Sequence, residues 1–383
     1  MEALLLGLSN LLDTHVIIAI LIGAIGGVVI GAIPGIGPAI AIAILLPATI
    51  FLEDLVSLVL LLGIYGSAMY GGAIPAILIN TPGTPVNALT TYDGYSMTKN
   101  GDAPRALSLA YSSSFFGGCF SISIALICLI VFGPYLRDFG ALFGQRDIFM
   151  AAALGSVLLI LAHRQNMAIA AMLFALGFLI SMVGRQTSRG VARYTFEIEY
   201  LASGFNLIVV IVGIFALSQA LNLMNGKDTD PPETKITKGL FKGLAELKKY
   251  PAVAFISASF GTVMGIIPGV GEFVAQFFSY STARSLSKNP SKFGYGAPEG
   301  LIACETSNNA VPAAAMIPLL ALGVPGEALT AMMMVVFFDA GIKPGPDIFE
   351  KAPDFLFSLF ISFSNLVVVK IYVDVERRDS SIN

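Results

Sequence analysis

Residues 70–90 read YGGAIPAILINTPGTPVNALT, an apolar stretch that cannot form one continuous helix. Proline removes a backbone donor and clashes with the preceding turn, so we do not expect a helix to run through residues 79–85. Backbone groups freed in hydrocarbon are costly, and such breaks persist only where protein or a wet cavity satisfies them. The stretch also carries uncharged hydrogen-bonding side chains at Asn80, Thr81, Thr84 and Asn87. We therefore predict a broken membrane helix that lines a solute site.

The composition of the whole chain indicates a membrane protein. Of its 383 residues, 56% are hydrophobic and 12% are charged, and the mean hydropathy is +0.81. Soluble domains carry about 25% charged residues, so this load is about half the usual one. The apolar runs are continuous, as at residues 205–221, and do not alternate as barrel strands do. We predict an all-α polytopic membrane protein with about 8–11 hydrophobic segments.

The apolar segments divide the chain coarsely. We expect them at residues 15–33, 38–52, 54–79, 106–134, 147–162, 167–184, 204–224, 252–268, 300–322, 325–342 and 355–371. A lysine-rich interruption at 225–250 predicts a cytoplasmic loop with a short surface helix. The predicted units are a first transmembrane half at 1–224, this loop, a second half at 251–354, and an atypical last span and tail at 355–383. The start, MEALLLGLSN, lacks Lys and Arg, so we expect no signal peptide and an outside N-terminus.

Several function classes are disfavoured. The formal net charge of −3, without a basic patch outside loops, argues against a nucleic-acid partner. Cys119, Cys128 and Cys304 form no CxxC pair, and His15 and His163 are isolated, so we expect no metal, no cofactor and no catalytic residue. An intramembrane enzyme is the weaker alternative, because GxSG, GxGD and HExxH motifs are absent from the sequence.

A block of glycine and proline occurs twice. GVVIGAIPGIG at residues 27–37 returns as GTVMGIIPGVG at 261–271, and every fixed position of GxxxGxxPGxG matches. Pro82-Gly83 is likewise echoed by Pro325-Gly326. Two halves with breaker-rich segments in corresponding places indicate the midplane site of a transporter. With an outside start and a cytoplasmic loop between them, the two repeats are predicted to be inverted.

Helix ends beside Pro-Gly steps are the predicted solute-binding elements. Helix N-termini offer an anion unpaired N–H groups and partial positive charge without burying Lys or Arg, and glycine lets a ligand approach the backbone. With nearby amide and hydroxyl groups, the predicted substrate-binding residues are Gly35, Gly37, Asn80, Thr81, Gly83, Thr84, Asn87, Gly269, Gly271, Ser307, Asn308, Asn309 and Gly326. The competing interpretation is that the glycines ease helix packing and the polar groups cap helix ends.

Carboxylates in or beside apolar segments of the second half are candidates for ion coupling. Glu305, within LIACETSNNAVP, and Glu272 are the predicted coupling residues, for H⁺ or Na⁺. Glu299, beside Pro298, and Glu327 are also compatible with interfacial loops.

These motifs resemble a known family. GxxxGxxPGxGP, YGGAIPAILINTPGTP with the following DGYSM and GDAPRAL, and the PGVGE block are similar to the large membrane subunit of tripartite tricarboxylate transporters, over residues 11–354. The resemblance implies a secondary transporter of the bacterial inner membrane, a symporter that takes up citrate-like tri- and dicarboxylates on an ion gradient. It also implies two protein partners, a small four-helix membrane subunit and a periplasmic solute-binding protein.

The end of the chain departs from the family pattern. Family members usually continue with further membrane helices after the segment that matches residues 343–354, whereas LFISFSNLVVVKIYVDVERRDSSIN ends this sequence. We therefore expect a shortened C-terminal region, and a chain that inserts but is less stable and transports poorly. A non-transporting remnant and a passive channel are the alternatives to a transporter.

Overall fold

The structure is a computed structural model, and it describes only part of the chain. The described residues are 9–10, 12–34, 36–49, 51–128, 131, 146, 150, 153, 157, 160, 167–185, 191–205, 221, 240–267, 270–345, 347–353 and 355–362. Most of the predicted segments 147–162 and 204–224, most of the 225–250 loop, and the tail from residue 363 lie outside them.

The described residues are almost entirely helical, which confirms the all-α prediction. The helices are α1 (Thr14–Gly31), α2 (Gly37–Thr49), α3 (Asp54–Ile79), α4 (Thr90–Lys99), α5 (Ala103–Ile127), α6 (Met167–Ser181), α7 (Leu240–Leu247), α8 (Pro251–Ile266), α9 (Gly271–Leu286), α10 (Pro298–Leu322), α11 (Ala328–Asp339) and α12 (Ile348–Lys351). Short 3₁₀ turns lie at Pro85–Ala88, Glu199–Ser203 and Pro290–Lys292. Two-residue strands, β1 (Gly184–Arg185) and β2 (Ala192–Arg193), pair antiparallel.

Helices α1, α3 and α5 are each long and apolar enough to cross a membrane. Helix α3 occupies the predicted segment 54–79, and most other described helices lie within a few residues of a predicted segment. Helices α4 and α9 were not among the predicted segments, because their sequences, TTYDGYSMTK and GEFVAQFFSYSTARSL, mix polar with apolar residues. The polar side chains of α9 that hydropathy counts against it, Glu272, Gln276 and Ser279, lie on its buried face.

The predicted break after α3 is confirmed. The helix ends at Ile79, and Asn80 follows in the left-handed region with a φ of 57°, which asparagine tolerates better than most residues. Pro82 and Pro85 then prevent the helix from resuming at once. The chain passes through a 3₁₀ turn before α4 begins at Thr90.

The glycines of the repeated block seat one helix tightly on another in each half. In α1, a Cβ at Gly27 would lie 2.7 Å from the Ile64 carbonyl oxygen of α3. In α8, a Cβ at Gly265 would lie 2.8 Å from the Ala314 side chain of α10. Small residues at four-residue spacing let helix backbones approach closely, so GxxxG acts in packing here. This matches the packing interpretation for these positions.

The last glycine of each block has a different task. Gly37 begins α2 with a φ of 62°, and Gly271 begins α9 with a φ of 67°. L-residues with a side chain rarely adopt this conformation, so glycine at these two positions permits a sharp entry into the next helix. Gly37 and Gly271 therefore share the same left-handed backbone conformation.

Helices α3 and α10 form the centre of the described structure. Helix α3 packs against α1, α2, α4 and α5, while α10 packs against α5, α8 and α9, and the two central helices also contact each other. Every residue of α10 from Gly300 to Met316 is buried. The short helix α7 of the lysine-rich loop docks on α5, where Gly243 N donates to Ser108 Oγ at 2.8 Å.

Candidate functional site

The break after α3 closes on its own helix. Gly83 N donates to the Gly72 carbonyl oxygen at 3.2 Å. Thr84 Oγ1 donates to Asn87 Oδ1 at 2.5 Å, and both side chains are buried. A Cβ at Gly83 would press on the carbonyl oxygen of Gly31 at the end of α1. The break is therefore a compact, uncharged turn packed between α1 and α3.

Glu305 lies beside this break, in the buried middle of α10. Its carboxylate, with a side chain that is 0% exposed, accepts from Thr90 Oγ1 at 2.5 Å and from Ser114 Oγ at 2.9 Å. Asn87 Nδ2 also donates to it at 3.4 Å. All three donors come from the first half of the chain. A carboxylate buried from water thus depends on hydrogen bonds from the opposite half.

Two further carboxylates meet at one tyrosine. Tyr65 Oη, on α3, donates to Glu272 Oε1 at 2.9 Å and is also hydrogen-bonded to Glu327 Oε1. Tyr65 is 0% exposed and Glu272 is 5% exposed. A hydroxyl carries one hydrogen, so it cannot donate to both carboxylates at once. The arrangement is satisfied fully when one carboxyl holds a proton or when a cation lies between them.

Asp93 is a carboxylate of the first half that accepts hydrogen bonds from the second half. Asp93, on α4, accepts from the backbone N–H groups of Gly294, Gly296 and Ala297 at 2.9, 3.0 and 2.8 Å. Tyr280 Oη donates to it at 2.9 Å. Burial raises the pKa of the Asp93 carboxyl, although these hydrogen bonds act to lower it. Asp93 therefore ties the first half to the segment that leads into α10.

Helices α9 and α11 begin next to each other. A Cβ at Gly271, the first residue of α9, would lie 4.0 Å from Glu327 Oε2. Glu327 is the N-cap of α11 and forms a capping box with Thr330. Because N-terminal N–H groups and the helix dipole favour negative charge, both helix starts stabilise the carboxylates beside them. They also offer an anion a place to bind if those carboxylates are neutralised.

Several buried polar groups near these carboxylates lack a protein partner. Both amide atoms of Gln276 on α9 and both of Asn308 on α10 are buried without a hydrogen bond to any described residue, as are Thr306 Oγ1 and Asn309 Oδ1. Leaving such a group unsatisfied costs about 1–3 kcal/mol. Native proteins rarely leave buried polar groups unpaired, so these atoms point to ligands of another kind, such as water, an ion or a solute.

The structure places the predicted site residues unevenly. It brings Thr84, Asn87 and Glu305 together, and it buries Ser307, Asn308, Asn309 and Glu272 in the same region between the halves. Asn80 and Thr81 lie exposed at the end of α3, where they cap the helix locally. Ser307 Oγ donates within its own helix, to the Ala303 carbonyl at 2.7 Å. Gly35 and Gly269 lie outside the described residues.

Four residues at the site were not singled out from the sequence. Three of them donate hydroxyl hydrogen bonds to carboxylates, namely Tyr65, Thr90 and Ser114, and the fourth, Asp93, is itself a buried carboxylate. Each stands in an ordinary apolar or small-polar stretch of the sequence. The sequence offered a signal only for Asp93, which is the carboxylate of the DGYSM motif. Glu327, for which an interfacial loop was an alternative, instead shares Tyr65 with Glu272. Within the described residues, no group of three or more His, Cys, Asp or Glu side chains could hold a metal ion.

Comparison with known proteins decides the family. The model of the tripartite tricarboxylate transporter TctA family matches residues 17–375. The chain belongs to this family. The match extends past residue 354 and so includes part of the stretch that we expected to depart from the family pattern. As a member of a transporter family with apolar helices, the chain is a membrane protein and a tricarboxylate transporter subunit.

Two relatives come from Agrobacterium vitis. The uncharacterized 52.8 kDa protein in the TAR-I ttuC′ 3′ region is 34% identical over 367 residues, which are 95% of this chain and 72% of that protein. An uncharacterized protein in the TAR-II ttuC′ 3′ region is 40% identical over 111 residues, which are 28% of this chain and 46% of that protein. No solved structure matches the chain.

Proposed function

We propose that this TctA-family chain is the multi-pass permease subunit of an inner-membrane symporter for tri- and dicarboxylates. A periplasmic solute-binding protein would deliver the organic acid, and a small four-helix membrane subunit would complete the permease. The observation that carries the proposal is the layer between the halves, where the buried Glu272 and Glu305 and the half-buried Glu327 lie near amide groups that have no partner among the described residues.

The charges of this layer support the proposal that transport depends on an ion gradient. An anionic solute that approached three ionised carboxylates in a medium of low dielectric would be repelled strongly. A cation at Glu305, and another shared by Glu272 and Glu327, would remove that repulsion. The solute carboxylates could then accept from the amides of Asn308 and Gln276 and from the start of α9. Binding of the anion would therefore depend on prior binding of H⁺ or Na⁺.

The position of the carboxylates also links ion binding to motion. Glu305 accepts from Asn87, Thr90 and Ser114 of the other half, so any displacement of the halves changes its hydrogen bonds. We propose that the halves are inverted repeats that rock about this layer, as in other transporters with broken helices. Loss of the donors on one side would then weaken cation retention, and release of the cation would follow the movement.

The decisive experiment separates coupling from solute binding. The chain is reconstituted with a homologous small subunit and binding protein, and both gradient-driven accumulation and solute exchange are measured. Glu305→Gln keeps the shape but removes the charge, so accumulation should fall at least about tenfold while exchange persists. Glu53→Gln, at the exposed start of α3, is the matched control and should behave as the unaltered protein.

Two outcomes would contradict the proposal. Full accumulation by a stably inserted Glu305→Gln variant would remove Glu305 from ion coupling. Solute that equilibrates across the membrane but never accumulates in the unaltered protein would instead identify a passive channel.

A further inference from the structure

Helices α8, α9 and α10 have ends that meet on one side of the described structure. Helices α8 and α9 are consecutive and pack together, and the turn between Ile266 and Gly271 is short, so the start of α8 lies beside the end of α9. A cavity of about 440 Å³ opens between these two ends. Its lining includes Lys249, Tyr250, Val253, Ser257, Leu286 and Lys288.

The mouth of this cavity is suited to a single negative charge. Lys249 and Lys288 supply two positive charges, and Glu299 supplies the negative charge among the lining residues. Glu299 is already engaged, because Ser287 Oγ donates to it at 3.2 Å. The net charge of the lining is therefore +1 at neutral pH. A phosphodiester carries one negative charge and balances it.

The start of α8 adds hydrogen-bond donors to this mouth. Tyr250 is the N-cap of α8 but makes no side-chain cap hydrogen bond, so its side chain leaves the first N–H groups after Pro251 uncapped. Burial and the nearby Glu299 and Glu246 carboxylates raise the pKa of the Tyr250 hydroxyl, which leaves it a proton donor at neutral pH. Anions bind well at such helix starts because the backbone supplies both donors and partial positive charge.

A buried hydroxyl in the cavity wall is an independent sign of a ligand. Ser257 lines the cavity, is 1% exposed, and its Oγ has no hydrogen-bond partner. Some serines on buried helix faces donate back to their own helix, as Ser113 does to the Leu109 carbonyl at 2.7 Å, whereas Ser67, Ser121 and Ser279 are unpaired among the described residues, like Ser257. Ser257 makes no such bond among the described residues, so a polar ligand at this wall would supply the partner that its hydroxyl lacks.

A second cavity, which is an apolar groove, lies next to the first. This groove of about 360 Å³ runs along α8 and shares Ile256 with the first cavity. Its other lining side chains include Phe255, Phe260, Val263 and Met264, with Ser259 as the one hydroxyl among them. A water-soluble anion would leave this groove empty. A charged mouth next to an apolar groove along a membrane helix matches the shape of an amphiphile.

We propose that this groove binds an anionic phospholipid, with a phosphodiester such as that of phosphatidylglycerol between Lys249 and Lys288 and an acyl chain along α8. The headgroup hydroxyls would donate to Glu299, and Ser257 would donate to an ester or phosphate oxygen at the floor. The lining of the cavity includes none of Glu272, Glu305 and Glu327, so this site is distinct from the carboxylate layer.

The test compares lipids and variants in one binding measurement. Purified chain in nanodiscs is titrated with phosphatidylglycerol or phosphatidylcholine of identical acyl chains, and bound lipid is counted by native mass spectrometry. The Lys249→Gln/Lys288→Gln double variant should bind phosphatidylglycerol about thirtyfold more weakly, since each lysine near a lipid surface contributes about fivefold. The Lys99→Gln/Lys343→Gln double variant loses the same charge at exposed positions elsewhere and should keep full affinity.

A groove variant and a soluble competitor test whether the ligand is a phospholipid or a free anion. Val263→Trp, at a half-exposed position, should fill the groove and weaken phosphatidylglycerol binding without changing the lysines. Glycerol phosphate should compete weakly or not at all. Equal binding of both lipids, or no effect of the lysine double variant, would overturn the proposal. Full displacement by glycerol phosphate would identify a free-anion site, and displacement by the small membrane subunit would identify a protein interface; either result also overturns it.

Discussion

The two breaks that follow the central helices both carry a Pro-Gly step, but one is neutral and the other contains a carboxyl group. After α3, the break carries Pro82-Gly83 and uses Thr84 and Asn87, which are neutral and satisfy each other. After α10, the chain turns at Gly323 with a φ of 69° and passes Pro325-Gly326 to reach Glu327, which carries a charge to Tyr65 on α3. The first break is held mainly by its own uncharged groups, with Asn87 also donating to Glu305, whereas the second presents a carboxyl group to the opposite half.

The difference shows how this chain buries carboxylates without basic partners. Glu305 and Glu327 of the second half are held by neutral donors of the first half, and Asp93 of the first half is held by backbone N–H groups of the second. An Arg or Lys partner would fix each charge permanently, whereas hydroxyl and amide donors leave room for a cation. The two halves are therefore complementary in polarity, and the carboxylates lie where the halves meet.

The largest effect is expected from crowding the closed break. In Gly83→Ala the new Cβ presses on the Gly31 carbonyl, which belongs to backbone and cannot rotate away. In Gly326→Ala the nearest atom, the Gly265 carbonyl oxygen, lies 3.4 Å away. Overpacking costs about 1–3 kcal/mol or more, so Gly83→Ala should lower the melting temperature and abolish uptake while Gly326→Ala remains close to the unaltered protein.

Gly83→Val should fail as severely as Gly83→Ala or more so, with membrane insertion retained. Membrane fractionation measures insertion. Melting in detergent measures stability, and uptake assays measure transport. If Gly326→Ala proved the more damaging of the two alanine variants, the distinction between a closed and an open break would be lost.

The next effect concerns the charged break. Tyr65→Phe removes the hydroxyl shared by Glu272 and Glu327 and leaves the ring in place. Hydrogen bonds to charged groups contribute about 1.5–3 kcal/mol, so we expect a lower melting temperature and loss of accumulation. Tyr95→Phe, on the partly exposed face of α4, is the control for removing a tyrosine hydroxyl. Equal behaviour of the two variants would deny the shared hydroxyl any role.

A threonine pair on α4 gives a more moderate comparison. Thr90 donates to the buried Glu305 carboxylate, and its neighbour Thr91 donates to the Ala88 carbonyl at 2.6 Å. Thr90→Val should cost about 1.5–3 kcal/mol and Thr91→Val about 0.5–1.5, because only the first bond has a charged acceptor. The cation dependence of uptake should change for Thr90→Val alone. If Thr91→Val changed the cation dependence of uptake equally, the effect would come from the packing of α4 and not from the hydrogen bond to Glu305.

The smallest effect is a pH dependence at Asp93. Its pKa is raised in the folded state by burial, so the folded state gains stability where Asp93 is protonated and loses it as pH rises through the folded pKa. The melting temperature should therefore fall relative to that of Asp93→Asn as pH rises from about 4, near the ordinary aspartate pKa. Identical pH profiles for the two proteins would contradict this prediction, because they would show that the hydrogen bonds fully offset the effect of burial on the Asp93 pKa.

The positions of helices and breaks followed from local properties of the chain. Hydropathy located the segment that became α3, and Pro82 and Pro85 predicted its end, because a missing N–H and a ring clash act within one turn. The repeated PGxG likewise predicted the entries into α2 and α9. Hydropathy did not identify α9 itself as an apolar segment, since its buried face carries the polar residues Glu272, Gln276 and Ser279.

Which atoms hold each buried carboxylate was decided by the tertiary structure. Tyr65 and Glu272 are 207 residues apart, and Thr90 and Glu305 are 215 apart, so no local pattern could pair them. Asn80 and Asn87 look alike in INTPGTPVN, yet one caps an exposed helix end and the other donates to Glu305. Hydrophobicity and backbone sterics act between neighbours in sequence, whereas solvation of a buried charge depends on whichever donors the packing of distant helices brings within about 3 Å.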